Sequence, residues 1–290
     1  MRIGHSTRIA RAITAAVMMA GIPVAAFADG TGTFYDRTFV LAAHEKCQLF
    51  RAPVAGALSA ATLQSRGAAL RAGTAETTLQ ATASRARSRA RQVSCANPEL
   101  AMVRDRVADA FAGWQRIPRM DFNSDHATWT ADRVRREAAT WRLVQTSVTG
   151  ASPVRFGLGA SAEGQETLSA VVSFVGRPRP YAARMVMRDP ALAARPWLTA
   201  AGRAVLPPES ARQEVWSAGT APAAATLLAM GKTQGETWTF PAAAGDRLSR
   251  LDPREPFLIE FLFRDGSVAT ATFEAGDFAA ARAFVALGTV

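Results

Sequence analysis

The sequence predicts an α+β protein: an N-terminal, disulfide-tied helical bundle followed by an antiparallel β-sandwich, or single sheet, with a C-terminal helix. Apolar residues recur every three or four positions through the first part of the chain and every second position after about residue 154. These are the periods of a helix face and of a strand face. The two cysteines, Cys47 and Cys95, both fall in the helical part. The division expected from these patterns is 1–28 as a signal peptide, 29–136 as the helical domain and 137–290 as the β-rich domain.

In a first helix over about 34–50, Phe39, Ala43, Cys47 and Phe50 share one face. Pro53 suits the opening turn of a second helix, where an amide proton has no partner to lose; that helix carries Val54, Leu58 and Ala61 and stops at Gly73. A third, over 75–93, bears Leu79, Ala83, Ala86, Ala90 and Val93 in a narrow stripe whose small side chains permit close packing. Asn97 as N-cap and Pro98 in the first turn open a fourth, with Leu100, Val103, Val107, Phe111 and Trp114 along one face and Pro118 closing it. Two antiparallel helices between the cysteines return the chain to the end it left, so Cys47 and Cys95 are expected to form a structural bridge. No Cys-x-x-Cys pair is present, which argues against a thioredoxin-like redox role.

Strands follow. Val154, Phe156 and Leu158 alternate, then Leu168, Ala170, Val172 and Phe174, then Tyr181, Ala183, Met185 and Met187. Further strands are expected over 141–148, 214–217 and 236–240. The run 257–263 is apolar on both faces apart from Glu260 and reads as a central strand. Asp265-Gly266 tolerates the positive φ of a tight turn and joins that run to 268–273 as a hairpin. A closing helix over 277–287 would dock Phe278, Ala281 and Val285 on the sheet. The change of period falls within 118–140, where aspartates, arginines and Asn123 interrupt both patterns.

At the N-terminus, Arg2, Arg8 and Arg11 precede an uncharged apolar stretch, and Ala26 and Ala28 put small residues where a signal peptidase reads, so cleavage is expected before Asp29. The stretch falls short of the roughly 20 residues of a membrane span and is broken by Gly21 and Pro23. The expected product is periplasmic or secreted, with no transmembrane segment after cleavage. The net charge of +10 loses the three arginines of the signal, and arginine supplies nearly all the rest, with only Lys46 and Lys232 as lysines. An exported protein rarely meets nucleic acid, so the expected partner is an envelope protein or an anionic polymer. The surface expected to meet it is the arginine series of the third helix, Arg85, Arg87, Arg89 and Arg91. No cofactor is expected.

Several motifs begin and break off. His44-Glu45-Lys46-Cys47-Gln48 starts like a zinc-protease helix, but Gln48 stands where the second histidine is needed. Gly231-Lys232-Thr233 ends like a phosphate loop, but Thr226 replaces its first glycine. Asp121, Asn123 and Asp125 match positions 1, 3 and 5 of a calcium loop, with Asp132 at position 12, although His126 takes the place of the turn glycine. The other reading of that segment is a polar linker in which Asp125 caps a following helix. Glu163 and Glu166 are close enough in sequence for an acid and base pair of the glycosidase kind. The leading expectation is a noncatalytic binding or structural module of the cell envelope; the alternatives are a carboxylate-dependent glycan hydrolase and a calcium-stabilised module.

The C-terminal hairpin followed by Ala275-Gly276-Asp277-Phe278-Ala279-Ala280-Ala281 resembles the ending of invasion-associated locus B type exported proteins, over about 255–287. The whole chain also resembles the exported envelope proteins common in GC-rich Gram-negative bacteria. The first resemblance implies a small β-rich periplasmic protein without established catalysis, and neither carries a binding residue to transfer.

Overall fold

The structure is a computed structural model that describes residues 30–200 and 203–290. The expected signal peptide and its cleavage point lie outside the described residues. Four helices come first: α1 (Gly30–Cys47), α2 (Ala52–Arg71), α3 (Glu76–Gln92) and α4 (Pro98–Trp114). The first stops short of residue 50 because Gln48 turns into the left-handed region, with φ at 52°. Phe34, Leu70, Leu79 and Ala83 form a small core where α1 meets α2 and α3. Ala43, Ala90 and Leu100 form another, with Cys47 packed against it. Cys47 and Cys95 are joined, with Cα atoms 5.5 Å apart and a sequence separation of 48. Closing a loop of that length contributes about 4 kcal/mol in the chain-entropy model. Asn97 caps α4 as expected, accepting from the Glu99 amide at 2.8 Å.

Leu100 is the one residue of α4 that is fully buried, while Val103, Val107, Phe111 and Trp114 are half-buried. That helix turns its apolar stripe toward α2 and the C-terminal helix, where Trp114 meets Phe284 edge-on at 6.1 Å. The four helices thus pack around α1 through two separate small cores.

The strands make two facing antiparallel sheets. β1 (Arg119–Asn123), β2 (Thr128–Asp132), β3 (Thr140–Thr149), β4 (Ser152–Ala160) and β5 (Glu166–Val172) run as a meander. The chain then crosses to the second sheet as β6 (Ala182–Arg188), makes a short separate hairpin of β7 (Trp197–Leu198) and β8 (Ala204–Val205), and pairs β9 (Arg212–Trp216) with β6. Next, β10 (Gly219–Pro222) and β11 (Glu236–Phe240) return to the first sheet beside β5. After α5 (Ala242–Leu248), β12 (Pro256–Leu262) and β13 (Val268–Glu274) complete the second, and α6 (Phe278–Val285) ends the fold. The orders are β1-β2-β3-β4-β5-β11-β10 and β13-β12-β6-β9, so β12 is an interior strand as its apolar run suggests.

The segment expected to be a boundary, or part of the helical domain up to 136, is instead the β1–β2 hairpin, and β2 pairs with β3. No helix follows Asp125 for it to cap. Each of these strands carries only two inward apolar residues, Met120 and Phe122 on β1 and Trp129 and Ala131 on β2, too few to set a period in the sequence.

Inside the sandwich, the Phe156 ring lies between 5.3 and 6.3 Å from the rings of Trp129, Phe240, Phe257 and Phe273. The inner face of β1 and β2 is covered by α6, through Phe122 against Phe284 at 5.7 Å and Trp129 against Phe278 at 4.9 Å. The other side of α6 meets α2. Two arginines fasten it. Arg71 of α2 makes a bidentate pair with Asp277 at 2.7 and 2.8 Å, and the Asp277 side chain is only 2% exposed. At the far end, Arg133 donates to the carbonyls of Gly288 at 2.7 Å and Gln115 at 3.2 Å, and its guanidinium lies over Phe284 at 5.1 Å. One side chain thereby caps the ends of both α4 and α6.

Replacing Asp277 by asparagine leaves the Arg71 charge enclosed without a counter-ion. The expected cost is about 3 kcal/mol, read as a lower urea midpoint with the helical and β signals still lost together.

Candidate functional site

A concavity rich in arginine lies on the outer face of the seven-stranded sheet. It is a recess of about 750 Å³ formed by β1 to β4, the 133–139 connection and the turn at Thr226. Arg119, Arg135, Arg136 and Arg155 line it, against Asp132 and Glu137 as the only acids.

Local structure places these groups. Register in the β3–β4 pair runs Trp141 to Gly159 and then Leu143 to Leu158, so Arg142 is an extra residue and the strand bulges there. Without the bulge, strict alternation would put Trp141 on the same face as Leu143, inside the sandwich. With it, Trp141 turns outward and packs with Val171, Leu227 and Leu228. Gly157 permits the close approach: a Cβ at its φ of 156° would lie 2.0 Å from the Leu143 carbonyl oxygen. Arg142, inserted by the bulge, is buried; its Nε lies 3.4 Å from a Glu166 oxygen and its Nη1 donates to the Val134 carbonyl at 3.4 Å.

The wall of the recess is a short 3-10 turn at 225–227. Trp141 Nε1 donates to the Leu227 carbonyl at 3.0 Å, and Arg155 Nη1 donates to those of Leu227 and Leu228 at 3.2 and 3.0 Å. The Arg155 guanidinium sits over the Trp141 ring at 5.4 Å, and burial lowers its pKa. Among the described residues Arg155 has no carboxylate within ion-pair distance, and neither has Arg135. Asp132 is shared by Arg119 at 2.9 Å and Arg136 at 3.3 Å, so it neutralises part of the positive charge and fixes both side chains. A smaller hollow of about 180 Å³ adjoins, sharing Arg135, Arg136 and Thr140 and adding Arg142, Glu163 and Glu166.

The residues singled out from sequence lie elsewhere. Arg85, Arg87, Arg89 and Arg91 are all exposed on α3. Because Leu79, Ala83, Ala86 and Ala90 form the buried stripe, a 100° step per residue puts Arg85 and Arg89 on one flank and Arg87 and Arg91 on the other. They do not make one patch. The 121–132 segment is a hairpin, not a loop wound around an ion. Asp121 accepts from the Thr130 hydroxyl at 2.8 Å, while Asp132 sits at the open end of the hairpin and is held by arginines. Asn123 and Asp132 are thereby separated by roughly 13 Å along the strands, at about 3.3 Å per residue, too far to share a cation. Asp125 is exposed at the turn, its pKa raised by partial burial and by Glu274. Among the described residues, no group of three or more His, Cys, Asp or Glu is placed to hold a metal ion.

Glu163 and Glu166 do line the same small hollow. Glu166 faces Arg142, however, and the Ser161 hydroxyl lowers the pKa of Glu163, whereas a general acid needs its pKa raised. Cys47 and Cys95 are consumed by their disulfide, and His44 Nδ1 accepts from the Phe50 amide at 3.1 Å. Sequence reasoning passed over Arg119, Arg135, Arg136, Trp141 and Arg155. The available signal was the density of arginine between 133 and 142 around a single tryptophan.

The fold and recess define a mixed α+β protein with a cationic surface hollow. No family model matches the chain, and neither the curated proteins nor the solved structures include a significant match. Among the described residues, no helix is long and apolar enough to cross a membrane.

Burial raises the pKa of Asp132, but the Val134 amide, Arg119 and Arg136 more than offset it and hold the group below the usual 3.8. Asp252 is likewise held below 3.8, Arg254 outweighing burial. A carboxyl whose pKa is lower in the folded state stabilises fully above its unfolded pKa, and that stabilisation is lost as pH falls through the folded value. Urea midpoints measured from pH 6 downward are expected to fall in acid, with a shallower acid limb in Asp132→Asn than in the parent.

Proposed function

We propose that this chain is an exported, noncatalytic module of the cell envelope that binds an anionic polymer through the arginine-lined recess. The observation that carries the reading is the pair Arg135 and Arg155, two guanidinium groups without carboxylate partners facing one recess whose other two arginines are already positioned by Asp132. Arginine presents several donors in a planar fork suited to phosphate, sulfate or carboxylate groups. The adjoining hollow shares Arg135 and Arg136, so successive anionic groups of a linear polymer have a second place to sit. Export is supported by the Arg-then-apolar N-terminus and by the disulfide, which persists in oxidising compartments.

Long-chain polyphosphate serves as the probe, with inorganic phosphate as the monovalent comparison. Binding is expected to weaken steeply with salt, to be much tighter for the chain than for the monomer, and to fall at least about tenfold in Arg135→Ala/Arg155→Met, a loss of roughly 1.4 kcal/mol. Alanine at Arg85, Arg87, Arg89 and Arg91 is expected to leave it nearly unchanged. Loss of binding in that quadruple variant, with the recess variant binding normally, would move the site to α3. For export, the protein recovered from the periplasm of cells expressing the full chain is expected to have an intact mass beginning at Asp29; a mass beginning at Met1 overturns that part.

A further inference from the structure

Between Arg188, the last residue of β6, and Arg212, the first of β9, the chain leaves both large sheets and forms the separate hairpin of β7 and β8. The base of this excursion is fastened. The Asp189 amide donates to the Ala211 carbonyl at 2.9 Å, which closes the two legs on each other. On the first leg, the buried Arg188 guanidinium pairs with Glu255 at 2.5 and 2.8 Å and also donates to the Ala193 carbonyl. On the second, Arg212 Nε donates to the Pro207 carbonyl at 2.6 Å. A two-stranded hairpin is marginal by itself, so these bonds set where this one stands.

The hairpin is apolar on both faces. Trp197 lies opposite Val205 and Leu198 opposite Ala204, so the first pair shares one face and the second pair the other. Trp197 is 49%, Leu198 44% and Val205 36% exposed, and Leu192, on the leg before them, is 65% exposed. The described residues thus leave both faces open. Charge around them has one sign: residues 190–208 contain Arg195 and Arg203, both exposed, and no aspartate or glutamate. Among the described residues neither arginine is in an ion pair.

We infer that this hairpin seats in the surface of an anionic lipid bilayer, with Trp197, Leu198 and Val205 among the upper acyl chains and Arg195 and Arg203 at the level of the phosphates. A protein groove covers one face of a ribbon, whereas a bilayer interface surrounds both. Tryptophan favours that boundary because its ring is apolar and its indole N–H polar. Arginine lays its stem along apolar surface and keeps its charged head among the headgroups. Two residues of strand measure about 7 Å, within the roughly 5–10 Å depth at which interfacial segments sit. The hairpin shares no residue with the arginine-lined recess, so lipid binding here and polymer binding there stand or fall separately.

The probe is a set of vesicles of phosphatidylcholine mixed with phosphatidylglycerol, with and without bromine on the acyl chains, added to disulfide-bonded protein from cells expressing the full chain. The parent is expected to sediment with the mixed vesicles and to have its tryptophan emission quenched by the brominated lipid. Trp197→Phe is expected to bind as the parent does and to lose most of the quenching. Trp197→Ser/Leu198→Ser, at two exposed positions, is expected to bind at least about tenfold more weakly, with circular dichroism and polyphosphate binding unchanged. Arg195→Gln/Arg203→Gln is expected to lose at least about tenfold on the mixed vesicles, the effect of two charges near an anionic surface. No sedimentation of the parent with vesicles, equal binding by Trp197→Ser/Leu198→Ser, or equal quenching in Trp197→Phe would each overturn the assignment. Loss of vesicle binding only in Arg135→Ala/Arg155→Met would overturn it in favour of the recess, and a lipid-free dimer formed by the parent but not by Trp197→Ser/Leu198→Ser would overturn it in favour of a second copy of the chain.

Discussion

The bidentate pair between Arg71 and Asp277 is the contact on which the arrangement of the two halves depends. The Asp277 amide donates to the Asn123 carbonyl at 2.9 Å while its carboxylate holds Arg71. One residue thus ties β1, α6 and α2 together. Burial raises the pKa of this carboxyl and Arg71 opposes the rise, so the charge is sustainable only where the arginine is. The approach also requires a glycine: a Cβ at Gly67 would lie 2.0 Å from the carboxylate oxygen. With Arg133 closing the other end, α6 becomes the shared middle element, helix on one side and sheet on the other.

The same economy of placement shapes the arginine-lined recess. One inserted residue, Arg142, reverses the direction of Trp141, and the outward indole supplies both a ring beneath Arg155 and a donor to the 225–227 turn. Arginines there outnumber acids, and the acid that is best placed, Asp132, serves two of them at once.

How much of this was legible depends on sequence distance. The helices of the first part, their proline and asparagine starts, the bridge between Cys47 and Cys95, and the Asp265-Gly266 hairpin all rest on residues within a few positions of one another or on a count of turns. These features survive in the structure with shifts of a few residues at their ends. The β1–β2 hairpin did not show itself, because its inward residues Met120, Phe122, Trp129 and Ala131 are too few to establish a period and are interrupted by the acids that suggested a calcium loop. The α3 arginines drew notice by proximity in sequence, yet a helix separates residues two apart onto different flanks.

Sequence alone determined the class of the fold, the order of helix and strand, and the excess of positive charge, because periodicity, caps and composition are local properties. Only the tertiary structure decided which arginines share a recess, that Trp141 faces outward, and that α6 lies between α2 and the sheet. Those outcomes depend on a bulge in one strand, on pairing across residues far apart in the chain, and on helix packing, and none of these leaves a repeating mark in the sequence.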